Sequence, residues 1–207
     1  MKQNSNQEKI HFWLKWTILS FTFIPLSYLI SLLAVLLVHG AFGFSMEEGG
    51  TYLSQTLMQL AGGSIIGLGT GLYQYLLLKN VFDISSKWFW TLILSFAFTE
   101  LLSCIILWQL QINRYELRWI EFNPLPETLI FACAGLITGF LQWLMLRKSC
   151  MRSGYWILSS TLGWGICILI TLIQSWAIFA FLLGTLLYGA ITGATLMWII
   201  QKKETDS

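Results

Sequence analysis

Six nearly unbroken apolar stretches, at roughly 16–38, 52–78, 88–110, 127–146, 155–175 and 179–200, alternate with short polar connections. Twenty residues of helix rise about 30 Å, the thickness of a bilayer's hydrocarbon core. The period-two alternation of a barrel strand is missing. Helices are therefore expected, because a helix satisfies every backbone N–H and C=O within its own segment. The pattern predicts an all-α integral membrane protein with a single domain of six transmembrane helices over 16–200. Residues 1–15 are expected as a polar cytoplasmic N-terminus and 201–207 as a cytoplasmic tail.

Two local features modify this picture. Between the third and fourth runs, Ile112, Tyr115, Trp119 and Phe122 recur at spacings of three and four, one face of a helix, until "NPLPE" at 123–127 ends it. A short amphipathic helix near 112–122, flat in the outer interface, is expected there. Within the first run, Pro25 removes a backbone donor and predicts a kink, with Ser20, Thr22 and Ser27 near enough to satisfy freed groups.

A string recurs at the ends of the second, fourth and sixth runs: "GLGTGLYQYLLLK" from Gly67, "GLITGFLQWLMLRK" from Gly135 and "GAITGATLMWIIQK" from Gly189. Each has glycines four apart: Gly67 and Gly71, Gly135 and Gly139, Gly189 and Gly193. A threonine precedes the second glycine (Thr70, Thr138, Thr192). Gln74 and Gln142 follow three residues later, where the third copy has Leu196. The odd runs begin alike, with "KWTILS" at Lys15, "KWFWTLILS" at Lys87 and "YWILSS" at Tyr155, aromatics suited to the membrane–water interface. The expected architecture is three tandem parallel two-helix hairpins, about 16–78, 88–146 and 155–200, related by an axis along the membrane normal. Small residues four apart allow close helix approach. The glycine faces of the even helices are expected to meet near a central pseudo-threefold axis.

Charge orients the spans. Of 12 Lys and Arg, Lys2, Lys9, Lys15, Lys79, Lys87, Arg147, Lys148, Arg152, Lys202 and Lys203 fall on one side, and only Arg114 and Arg118 on the other. Both termini are therefore expected in the cytoplasm. Charged residues make up 11% of the chain, against about 25% for soluble domains, and a net charge of +2 gives no reason to expect nucleic acid. Cys104, Cys133, Cys150 and Cys167 have no C-x-x-C spacing and no nearby histidine, so neither a disulfide framework nor a metal site is expected.

The repeated G-x-x-T-G-x-x-Q-[WY]-x-x-x-[RK] strings, over Gly67–Lys79, Gly135–Arg147 and, with departures at Leu196 and Gln201, Gly189–Lys202, resemble those of uncharacterised multi-span bacterial membrane proteins built from such hairpins. The resemblance implies a bacterial cell-membrane location and a repeat architecture, and carries no activity, cofactor or ligand.

Candidate chemistry is sparse. Glu100 lies twelve residues past Trp88, about 18 Å deep. A carboxyl at that depth must be neutral, hydrated or paired. It is a candidate cation or proton site, with Tyr188 at similar depth as a neighbour. Gln74 and Gln142, about 7 Å inside the basic boundary, would form either interhelical hydrogen bonds or a polar cytoplasmic vestibule. Two functions are compatible with these features. One is a small transporter or channel-like conduit past Glu100. The other is a non-catalytic accessory or scaffold subunit, as a homo-oligomer or with a membrane-protein partner. An enzyme is not expected: His11 and His39 lie at opposite membrane faces, and Glu100 has no acidic partner in its run.

Overall fold

The computed structural model describes residues 2–42, 52–79, 81–82, 84–114, 125–150, 152–173 and 177–206. Among them are six helices and no strand: α1 (Lys2–Phe42), α2 (Tyr52–Leu78), α3 (Lys87–Arg114), α4 (Leu125–Leu146), α5 (Tyr155–Ile173) and α6 (Ala177–Asp206). The polar N-terminal stretch is not a separate segment ahead of α1. Its Lys, Gln and Glu residues are good helix formers, and the helix starts at Lys2, giving α1 a length of about 60 Å. The surface helix expected near 112–122 falls mostly outside the described residues, since α3 runs through Arg114 and 115–124 are not described.

Among the described residues, three segments are long and apolar enough to cross a membrane: Gln7–Val38, Thr128–Leu146 and Ile178–Gln201. Tyr155–Thr171 is apolar but shorter. The glycines, tyrosines and Gln74 of α2 dilute its hydropathy. Outward faces are as apolar as inward ones: Leu37, Leu94 and Ile178 are 74%, 65% and 76% exposed. In water, a bundle would turn polar residues to those faces.

The six helices close into a ring in chain order, with α6 packed on α1. Among the described residues the α3·α4 seam is the loosest, and no even helix packs its backbone against that of another even helix. The glycine faces therefore do not meet on a central axis. They pack α2 on α3, α4 on α5 and α6 on α1. A Cβ on Gly67 would stand 2.6 Å from the Leu92 carbonyl oxygen, and one on Gly135 2.5 Å from that of Ser160. On Gly189 and Gly193 it would stand 2.8 Å from Ser20 Cβ and 2.9 Å from Trp16 Cδ1. The physical reason is the size of the ring. Six helices enclose a lumen that only large side chains can fill, while the seams are where backbones must approach.

Pro25 lies within α1 without ending it. The proline leaves the Phe21 carbonyl without its usual donor. Nearby hydroxyls do not replace it: Ser20, Thr22 and Ser27 donate to the carbonyls of Trp16, Ile18 and Phe23. This is the i−4 back-bonding by which an apolar helix satisfies Ser and Thr.

Candidate functional site

Trp16, Tyr73, Gln74, Trp88, Gln142, Trp156 and Tyr188 fill the ring around its axis, and none is more than 2% exposed. A buried amide or indole N–H left without a partner is costly, and the two amides satisfy most of these groups. Trp156 Nε1 donates to Gln142 Oε1 (2.8 Å), and Gln142 Nε2 donates to Gln74 Oε1 (3.2 Å). Gln74 Oε1 also accepts from Trp88 Nε1 (3.2 Å), while Gln74 Nε2 donates to the Tyr188 hydroxyl (3.1 Å). Five helices are thus joined through two amides. The sixth, α1, enters through Ser20, 2.8 Å from the Tyr73 hydroxyl, and through Trp16 Nε1, which donates to Thr192 Oγ1 (2.9 Å).

Aromatic rings close the remaining space. Trp156 lies 6.0 Å, centroid to centroid, from both Trp16 and Trp88. Farther along the axis, Trp164 bridges Phe96 (4.8 Å) and Tyr188 (4.6 Å). The odd-helix tryptophans Trp16, Trp88 and Trp156, expected at the membrane–water interface, are instead fully buried. A signal for this was present: fourteen residues separate Gln74 from Trp88 and Gln142 from Trp156.

The third string departs for a geometric reason. Gly71 and Gly139 meet residues one and four past the tryptophan: Phe89 and Leu92, Ile157 and Ser160. Gly193 meets Trp16 itself and Trp13, three residues before it. Relative to α6, α1 is therefore displaced by four residues, one turn or about 6 Å. The Trp16 indole then faces Thr192, one turn before Leu196. Leu196 is buried with no indole to satisfy. Thr192 donates onward to the Tyr188 carbonyl (2.7 Å), and Trp13 Nε1 adds a bond to the Ala190 carbonyl (3.0 Å).

Gln74 and Gln142 are thus sequestered in a packed cluster rather than lining an open vestibule. Among the described residues no hydrogen bond links Glu100 to Tyr188, whose hydroxyl is bonded to Gln74. Glu100 is half-buried, its Cγ over Gly63 of α2, where a Cβ would come within 2.6 Å. Among the described residues no hydrogen bond to its carboxyl is found, and no three His, Cys, Asp or Glu gather into a metal-binding group. No protein-family model, curated protein or solved structure matches the chain.

Proposed function

We propose that the chain is a multi-pass protein of the bacterial cell membrane, crossing it six times as three repeated two-helix units with both termini in the cytoplasm. In this reading it acts as a non-catalytic accessory or scaffold subunit, as a homo-oligomer or with a membrane-protein partner. The observation that carries the reading is the filled axis. A conduit needs a lumen that water or ions can enter. Here the axis is occupied by three indoles, two amides and two tyrosines, five of which bond one another. Apolar outward faces and the concentration of Lys and Arg at one end support the membrane assignment. The glycine seams make a close-packed unit of a kind that can present a fixed lipid-facing surface to a partner.

Glu100 favours a second reading, a proton or cation path along the α2·α3 seam, because a mid-membrane carboxyl without a hydrogen-bond partner among the described residues is a functional candidate. Native mass spectrometry of gently extracted protein, followed by flux measurements in vesicles, separates the two. The scaffold reading expects a reproducible partner or self-association at fixed stoichiometry and no flux from wild type or E100Q. Flux through wild-type protein that E100Q abolishes would replace it with the conduit.

A further inference from the structure

We propose that the turn between α4 and α5, with the end of α6 beside it, binds the headgroup of an anionic phospholipid of the inner leaflet. The proposal rests on the membrane-spanning reading above. Arg147, Lys148 and Arg152 are exposed there, and no carboxylate occurs between Trp143 and Tyr155. Two of the cations are held on aromatic platforms. The Arg147 guanidinium lies over the Trp143 ring at 5.4 Å, and that of Arg152 over the Trp198 ring at 5.7 Å. Tyr155 braces Trp198 edge-on at 4.9 Å. Arginines stacked on rings lose less freedom on binding, and their planar forks match phosphate oxygens bidentately.

The corresponding turn between α2 and α3 is different. It has Lys79 over Tyr75 at 6.0 Å and Lys87, but Asp83 offsets one of the charges. Charge is therefore concentrated at one turn rather than shared by all. The apolar surface continuing from this turn favours a lipid over a free phosphate. Phe140 packs beside Trp143 (5.6 Å), and Phe140 and Leu136 of α4, with Leu158 and Leu162 of α5, are exposed. Acyl chains attached to the headgroup would lie along them.

The test titrates detergent-solubilised, full-length protein with phosphatidylglycerol or phosphatidylcholine and counts retained lipid by native mass spectrometry. Each cation near a membrane surface contributes about a fivefold gain in affinity for anionic lipid. R147Q/R152Q should therefore weaken phosphatidylglycerol retention by about 25-fold, while K79Q/K87Q changes it by less than about fivefold. R147K/R152K keeps the charge and loses the fork, and should fall between. Equal retention by wild type and R147Q/R152Q, equal losses in both glutamine variants, or displacement by equimolar inorganic phosphate would overturn the proposal. Labelling of S149C in intact cells by an impermeant maleimide checks the underlying topology. Labelling without permeabilisation refutes the orientation, whereas protection combined with unselective lipid retention refutes only the lipid site.

Discussion

Gln74 is the hub of the axial network, and Gln74→Leu tests whether that network holds the ring together. The corresponding position of the third string already carries a buried leucine, Leu196, so the substitution removes polarity while keeping a residue that suits such a site. Three hydrogen bonds go with it, to Trp88, Gln142 and Tyr188. Interhelical bonds in membranes contribute ~0.6–2 kcal/mol each, so three bonds put the loss at about 2–6 kcal/mol. Q142L breaks two bonds, to Trp156 and Gln74, for about 1–4 kcal/mol. The bond between the two amides is common to both variants. Q74L/Q142L should therefore be less destabilised than the sum of the single changes, by about 0.6–2 kcal/mol. Reversible unfolding in mixed micelles, followed by circular dichroism for all four proteins, measures this cycle. A Q74L loss below about 0.5 kcal/mol, or additivity within about 0.3 kcal/mol, would mean that the amides do not bridge helices.

The remaining predictions concern the seams and the register. L196Q should destabilise by about 1–3 kcal/mol in the same unfolding assay, because the one-turn displacement of α1 leaves the new amide without the indole that Gln74 and Gln142 have; a gain in stability would refute the displacement. G67A and G135A should each lose about 1–3 kcal/mol, since their Cβ atoms would meet backbone at 2.6 and 2.5 Å, which cannot rotate aside. G165A, 3.4 Å from Ala132 Cβ, should stay within about 0.5 kcal/mol of wild type. A circular permutant joining Gln201 to His11 through the sequence of residues 80–86, with new ends between α1 and α2, loses the helical ends at 2–10 and 202–206 and should otherwise stay helical with the wild-type melting temperature; an unfolded product would show that α6·α1 does not pack as the linked pairs do.

Much of this architecture was legible in the sequence. Apolar runs of some 20 residues have few structural alternatives, and the expected 52–78 appears as α2, Tyr52–Leu78. Boundaries drawn by hydropathy were poorer at the polar ends, because polarity and helix formation are different properties. Lys2–Lys15 and Lys202–Asp206 are polar and helical together. The recurrent glycines announced close packing, but their partners did not follow from spacing. A glycine pair states that some backbone comes near and not which one. The Trp16, Trp88 and Trp156 indoles were misplaced to the interface for a related reason. An aromatic beside a lysine suits the headgroup level and also suits a buried donor that reaches an amide one helix away.

The chain by itself determined that it is helical and strongly apolar, because those properties belong to windows of one or two dozen residues. It also determined where the small residues, the two glutamines and the lone deep glutamate fall. Only tertiary structure decided that α6 closes against α1 and that seven large side chains plug the axis. It also decided that one pair of helices sits a turn out of step with the others, with Thr192 serving where Gln74 and Gln142 serve elsewhere. Those outcomes depend on which faces of distant helices meet. Hydrogen bonds such as Trp16 to Thr192, 176 residues apart in the chain, leave no local trace.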